Sequence, residues 1–324
     1  MSLVYRQARA QDLATTDALV VASINDLTER HGFGSMAATS PPNFQMFSLE
    51  DDPDGLWIAE DGGDIRGFVW SWVCGDLWFL AQLFVDPADQ GRGIGNELIK
   101  LTLEHARKSG AAHKALITFT FNRVSQGLYI RHGLFPRMPI YFLGAARERV
   151  LAGLPEPPLR SMPIDDTAAD MKKLAEIDTR AVGVPREKHH RYMLKDPETI
   201  GVWLAAASEC VGYTYIGSNG HIGPLAVTRA EFLGHAFTTA LKIAADRSPE
   251  KITASFQAHA RAHSALRSIT ACASLFRCSS WHRPAIALGR NICRAILDSC
   301  EHTWPVLALA DRTREAQSPD ARIH

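Results

Sequence analysis

Three glycines in five positions mark the segment of this chain with the clearest capacity for chemistry. It reads Leu83-Phe84-Val85-Asp86-Pro87-Ala88-Asp89-Gln90-Gly91-Arg92-Gly93-Ile94-Gly95-Asn96-Glu97-Leu98. An apolar, strand-like run enters a loop, and a helical pattern opens after it. Glycine lets backbone amides approach an anion with no Cβ in the way. A helix N-terminus adds unpaired N–H groups and a partial positive charge. Together they make a pyrophosphate cradle. The spacing is G-x-G-x-G, whereas a dinucleotide fingerprint needs G-x-G-x-x-G. A phosphate-binding loop of the Walker type needs Lys-Ser/Thr after its last glycine, and here Asn96-Glu97 follows. A tight turn without a ligand is the plainer reading of such a loop taken alone.

A pattern that does fit is Gln/Arg-x-x-Gly-x-Gly/Ala, filled by Gln90, Gly93 and Gly95. Downstream, Asn122, Tyr129 and His132-Gly133-Leu134-Phe135 read N-x6-Y-x3-G-L-F. The two signatures together resemble the GCN5-related N-acetyltransferase (GNAT) family, over residues 3–145. The resemblance implies an α/β (mixed-sheet, α+β) acyl-CoA N-acyltransferase fold with acetyl-CoA as co-substrate. By the same resemblance the cofactor would lie on Leu83, Phe84, Val85, Gln90, Gly91, Arg92, Gly93, Ile94, Gly95 and Asn122. The strand before the turn would be splayed, so that its backbone pairs with pantetheine.

The implied reaction is direct attack of a neutral primary amine on the thioester, giving a tetrahedral oxyanion and a CoA thiolate. Backbone N–H groups near Leu83 and Val85 would steady the oxyanion, and Tyr129 would protonate the leaving sulfur. Family members often carry a glutamate base on the splayed strand. The matching position here is Gln82, which cannot act as a base. Glu60 on the neighbouring hairpin is the alternative carboxylate, and a water chain to solvent would also serve. Tyr129 also fits a packed amphipathic residue, and Asn122 fits a strand end. Trp57, Trp70, Trp72 and Trp78 suit either an acceptor cleft or the core of a sheet. The acceptor is a small-molecule or peptide amine. An aminoglycoside, an amino acid, a polyamine and a protein N-terminus all remain open.

The elements that must position these residues follow from periodicity. Helical spacing runs over 12–30, 96–109 and 123–132, and strand patterns over 56–60, 65–73, 78–85, 115–121 and 139–143. The residues 40–43, with two prolines, read as loop. Prolines 155, 157, 158 and 163 mark a linker over 146–163. The order then restarts: helix 165–180, strands 201–206, 211–216 and 223–227, helix 231–245. The expected architecture is two tandem copies of one fold: a GNAT domain over 1–145 and a degenerate GNAT-like domain over 164–252. Aligned through Val85 and Val227, Phe232, His235 and Phe237 replace Gln90, Gly93 and Gly95. Bulky side chains there should block a second cradle.

Residues 253–324 break the pattern. Four of the six cysteines, Cys272, Cys278, Cys293 and Cys300, fall here with His282. Their spacing lacks C-x-x-C, so they make a poor zinc site. No metal is expected anywhere in the chain. A shifted coding frame starting near 250–255 is another reading. Codon degeneracy permits V-P-G across 255–258, G-L-R across 270–273, P-L-L-L-M across 276–281 and Y-L-P-R-N-P-G-F-M across 291–300. These strings resemble the end of a tandem acetyltransferase. On that reading the tail would be poorly ordered or artificially helical, and the second domain would lack its last strands.

Composition bounds the rest. With 324 residues, two domains are expected. Hydrophobic residues at 46% and charged residues at 22% exclude wholesale disorder. Lys+Arg and Asp+Glu are each 35, so no global charge draws the chain to nucleic acid or anionic membrane. No run of 18 apolar residues and no signal-peptide pattern are present, so a cytoplasmic protein with reduced thiols is expected, as monomer or homodimer. Two other functions compete with an active transferase: a non-catalytic acyl-CoA-binding or regulatory module, and a defective frameshifted product.

Overall fold

The structure is a computed structural model describing residues 3–247, 250–257 and 306–311. The chain divides into two compact units, 1–139 with 300–324, and 140–299. In chain order the first elements are β1 (Val4–Gln7), α1 (Leu13–Arg30), α2 (Asn43–Asp51), β2 (Leu56–Asp61), β3 (Asp64–Cys74) and β4 (Leu77–Val85). Then come α3 (Ile94–Ser109), β5 (His113–Thr118), α4 (Arg123–Arg131) and β6 (Leu134–Ala146). After these follow α5 (Arg147–Gly153), β7 (Arg160–Pro163), α6 (Ala168–Val182), α7 (Glu187–Lys195) and β8 (Thr199–Ala206). The last are β9 (Glu209–Gly217), β10 (His221–Val227), α8 (Leu233–Arg247), β11 (Lys251–Gln257) and β12 (Val306–Asp311).

In the first unit β1 to β4 pair antiparallel in sequence order, with a Gly62-Gly63 turn, both residues at positive φ, joining β2 to β3. Strand β5 runs parallel to β4, and β12 pairs antiparallel with β5. Side chains alternate across the sheet, so each face receives its own layer. Val69, Trp78 and Leu80 pack with Ile94, Leu98, Ile99 and Ala106 of α3 and with Leu128 and Tyr129 of α4. The opposite face joins Ile58, Phe68 and Trp70 to Leu13, Val20 and Ile24 of α1. Phe44 of α2 meets the Trp70 ring edge-on at 5.3 Å.

A buried polar knot ties β3 and the end of α2 to α3. The Ser71 hydroxyl hydrogen-bonds His105 Nδ1 at 2.9 Å, and His105 Nε2 donates to Asp52 Oδ1 at 3.0 Å. Thr102 Oγ1 donates to Ser71 Oγ at 2.6 Å. Ser71 is fully buried. The spacing is that of a serine nucleophile with its base, but no substrate reaches this hydroxyl, and the group works as a cross-brace between α3, β3 and the end of α2.

In the second unit β7, β8, β9 and β10 are antiparallel neighbours. Strand β11 lies parallel to β10 and antiparallel to β6 over Ile140 to Ala146. One face packs on α8 through Phe237, Ala240, Leu241 and Ala244. The other packs on α6 through Met171, Leu174 and Ile177. A carboxylate is buried on that side. Asp178, fully inaccessible, accepts from Arg186 Nε at 2.7 Å and from His190 Nε2 at 3.0 Å, and it also bonds the Tyr213 hydroxyl.

The expected elements recur with shifted bounds, and five differences stand out. Helix α2 follows the Pro41-Pro42 loop. Helix α3 opens at Ile94, inside the glycine run, two residues before the expected 96. Strand β5 ends at Thr118 instead of 121. The stretch 146–163 is not a bare linker, since it holds α5 and β7, and the boundary between units falls between 139 and 140. Within the tail, β11 and β12 are strands with paired neighbours. At 306–311 the chain is therefore extended where an artificial helix was one expectation. Cys272, Cys278, Cys293, Cys300 and His282 lie outside the described residues, and so do the shifted-frame strings from 270 to 300. Cys74 and Cys210 are thiols. Among the described residues no helix is long and apolar enough to cross a membrane. Nor do any three His, Cys, Asp or Glu side chains among them gather as metal ligands.

Candidate functional site

A bulge in β4 creates the site. Trp70 of β3 faces Gln82, and the next residue, Ser71, faces Leu80, so Ala81 is an extra residue on β4. The pairing of β4 with β5 stops at the same level, with Leu80 opposite Leu116. Beyond it the two parallel strands part. Leu83, Phe84 and Val85 from one side and Thr120, Phe121 and Asn122 from the other line a cavity of about 800 Å³. The edge of β4 toward β5 thus presents backbone groups to the cavity in place of a sheet partner.

At the far end of β4 the chain turns through the cradle. Gly91 and Gly93 have φ of +84° and +85°, and a Cβ at either would meet nothing within 4 Å. Both glycines line the cavity, and no side chain caps α3. The loop is pinned from below. The Val85 carbonyl accepts from Gln90 Nε2 at 3.2 Å and from Ser23 Oγ of α1 at 3.1 Å. A Cβ on Gly95 would lie 3.6–3.7 Å from Leu83, Val85 and Leu128, so the first turn of α3 packs closely on β4 and α4.

Of the ten expected cofactor residues, Leu83, Phe84, Val85, Gln90, Gly91, Gly93, Ile94, Gly95 and Asn122 line this one cavity. Arg92 does not, because its guanidinium is paired with Asp89. Asn122 also caps α4, its Oδ1 accepting from Ser125 N at 3.1 Å. Tyr129 is placed differently from the expectation. It is 5% exposed in the core between sheet and helices and is not among the lining residues. Burial pushes its phenol well above the ordinary range, and a hydrogen bond with Ser125, which does line the cavity, opposes that only in part. Glu60 is not brought to the cavity. Its carboxylate accepts from Arg6 Nη2 at 2.7 Å and Nε at 3.0 Å, and Arg6 also binds Asp12. Gln82 lies at the bulge, its Oε1 buried without a hydrogen-bond partner among the described residues. None of the four tryptophans lines the cavity. Trp70 and Trp78 are buried, and Trp57 and Trp72 pack partly buried against the two sheet faces.

Sequence reasoning missed the α1 wall. Ser23, Leu27, Arg30 and His31 line the cavity from the side opposite α4. His31 Nδ1 lies 2.8 Å from the Leu27 carbonyl and donates to it. The ring lies 4.9 Å from that of Phe121. Helical periodicity in 12–30 exposes a polar face, but nothing local says that its end meets a cavity. Arg123, Val124 and Arg131 of α4 were missed for the same reason.

In the second unit the three residues aligned with Gln90, Gly93 and Gly95 are placed as follows. Phe237 is fully buried in the core, Phe232 lies 4.6 Å under the Arg229 guanidinium, and His235 is exposed.

A mixed sheet whose two parallel strands part above a glycine-lined helix N-terminus defines the acyl-CoA N-acyltransferase fold. Residues 21–134 match the acetyltransferase (GNAT) family. A mycothiol acetyltransferase of Thermomonospora curvata is 37% identical over 79 residues, 24% of this chain and 27% of that protein. An uncharacterised N-acetyltransferase of Methanocaldococcus jannaschii is 35% identical over 72 residues, 19% of this chain and 30% of that one. The chain therefore spans under a third of the length of these curated relatives. A tandem GNAT protein from the clavulanic acid biosynthesis pathway has a similar fold, with a TM-score of 0.59 at 14% identity over 95% of this chain and 98% of the other.

Proposed function

We propose that this protein transfers the acetyl group of acetyl-CoA to a primary amine by direct attack, using the first unit. The observation that carries this reading is the cavity opened by the β4 bulge, which ends on the Gly91–Gly93 cradle. The fit is good: a Cβ at either glycine would take the space a diphosphate needs, and the cavity volume suits one extended cofactor. Gly91, Gly93, Ile94 and Gly95 would hold the diphosphate, and the free edge of β4 and Asn122 the pantetheine. Acetyl-CoA supplies an activated thioester. Tyr129 keeps its proton at neutral pH and reaches the cavity through Ser125, which suits an acid and not a base.

For the base we assign His31. Gln82 cannot accept a proton at neutral pH, and Glu60 is held by Arg6. The imidazole of His31 lines the cavity, with its orientation fixed by Leu27 and Phe121. A water relay is the second route. The second unit is a degenerate copy that does not bind acetyl-CoA, because Phe237 fills its core where Gly95 stands in the first. The acceptor class stays at amines, of small molecules or peptides.

The test is calorimetric titration with acetyl-CoA, followed by a panel of amines assayed by thiol release. Binding plus turnover of any amine supports a transferase. Binding without turnover across the panel supports a non-catalytic acyl-CoA module instead. In a turned-over pair, His31→Gln should lower kcat about a hundredfold with little change in KM. It should also change the pH profile of kcat. An unchanged pH profile would hand the proton to the water route.

A further inference from the structure

Two buried polar atoms of the first unit are used neither by the cradle nor by the brace. Trp70 Nε1 and Gln82 Oε1 are both shut off from solvent, and neither has a hydrogen-bond partner among the described residues. Their residues face each other directly across β3 and β4, at the bulge. Directly opposed side chains leave the same face of a sheet, with Cβ atoms about 5 Å apart. The indole nitrogen is a donor only, and the amide oxygen is an acceptor only. A buried polar atom without its hydrogen bond destabilises a fold. A donor and an acceptor stranded on facing residues therefore point to a ligand that satisfies both.

The place of the pair in the fold narrows the ligand. Alternation along β4 puts Gln82 on the same face as Phe84, which lines the cavity. Trp70 shares a cluster with Phe84, Phe119 and Phe121. Phe119 and Phe121 stack at 4.9 Å, and Phe121 lines the cavity beside His31, whose ring is also 4.9 Å away. The pair thus sits one aromatic layer behind the cavity wall. It lies about 10 Å along β4 from Val85, at the end away from the glycine turn. With a diphosphate on that turn and pantetheine along β4, the thioester falls level with the bulge. Neither group of the pair is charged. A carboxylate buried against one neutral N–H would lack a counter-charge, and so would a second ammonium against the Gln82 amide. A neutral carbonyl oxygen suits Trp70, and an N–H suits Gln82.

We propose that Trp70 and Gln82 bind the acceptor and select a primary amine α to a neutral carbonyl, as at the amino end of a peptide or in an aminoacyl amide. Gln82 Oε1 accepts from the attacking nitrogen, and Trp70 Nε1 donates to the neighbouring carbonyl oxygen. The rings of Phe119 and Phe121 give way as the acceptor enters. Free amino acids, polyamines and amino sugars are poorer acceptors. The inference rests on the transferase reading above.

The test assays the full chain with acetyl-CoA and three acceptors of one carbon skeleton: L-alaninamide, L-alanine and L-alaninol. Rates are compared at equal concentrations of the neutral amine. Alaninamide should have a kcat/KM about tenfold or more above the other two, as one buried hydrogen bond would give. Trp70→Phe keeps the ring and removes the N–H. It should bring alaninamide down to the level of alaninol, with the loss falling on KM. Gln82→Met should lower alaninamide and alaninol alike and keep their ratio. Neither substitution removes a hydrogen bond of the fold, and a melt and an acetyl-CoA titration of each variant are recorded alongside. Equal rates with alaninamide and alaninol in the parent chain overturn the proposal without any variant. A preference that survives in a folded Trp70→Phe overturns it too. Turnover only of amines that lack the carbonyl overturns it and leaves the transferase reading standing. If no amine is turned over, both fall.

Discussion

Gly93 can be tested alone, because its backbone conformation and its surroundings make separate demands. At φ +85° any L side chain is strained by about 1–2 kcal/mol, and with open space around it the new side chain would project into the cavity. Gly93→Trp should therefore abolish the heat of acetyl-CoA binding while moving the melting temperature only a few degrees. Gly55 is the opposite case. A Cβ there would sit 2.1 Å from the Ser71 carbonyl oxygen, so Gly55→Ala should cost about 3 kcal/mol in a denaturant titration and leave binding intact once folded. Single residues were legible where their demand is local. Glycine spacing exposed the positive-φ turn before α3 because only backbone freedom and the helix start are involved. Glu60 misled because its charge is visible in sequence, whereas its capture by Arg6 joins residues 54 positions apart. Tyr129 stood at the expected position, but its burial depends on the sheet beneath it.

At the scale of elements, the amphipathic pattern of α3 is readable because its buried residues, Leu98, Ile99, Thr102, His105 and Ala106, repeat at helical spacing. Helix α2 was not, since apolar Phe44, Met46, Phe47 and Leu49 fall on several sides of nine residues. The bulge was also hidden. Leu77–Val85 reads as one unbroken apolar strand, and only its pairing with β3 reveals the extra residue at Ala81. The same strand pair holds the Ser71–His105–Asp52 brace. His105→Ala should remove two hydrogen bonds of the brace, leave a cavity and lower stability by about 2–4 kcal/mol. The brace does not line the cavity, so affinity for acetyl-CoA should persist below the lowered melting point. A loss of affinity in the fully folded variant would mean that α3 itself had shifted.

At the scale of the whole molecule, the repeated order of helix, hairpin, apolar strand and helix was legible, and it recurs in both units. The share of the tail in the sheets was not, because β11 and β12 pair with strands far away in sequence. The second unit should be the acid-labile one. Burial would raise the Asp178 carboxyl, but hydrogen bonds from His190 and Arg186 prevail and hold it at about 2, against an ordinary 3.8. Its stabilisation is complete above 3.8 and is lost as pH falls toward 2. Burial lowers His189 to about 3 and His221 to about 4, from 6.5. An unfolded chain takes up those protons first, so stability declines as pH drops from about 6.5 through 4. Melts recorded from pH 7.5 to pH 4 should show a steep acid loss, and His221→Gln should flatten it. Asp178→Asn leaves the Arg186 charge without its carboxylate and should cost about 3–5 kcal/mol at neutral pH.

Strand β12 covers the edge of β5, yet the whole second unit is encoded between the two. On the ribosome the first unit must therefore wait with an open edge while all of the second is made. Its cavity, built on the end of that same β5, would complete its rigid frame late in synthesis. A chain shortened before residue 300 would keep every cradle residue and still expose that edge to other copies. Such a product should aggregate even though the acetyl-CoA motif is intact, and light scattering during refolding would register it.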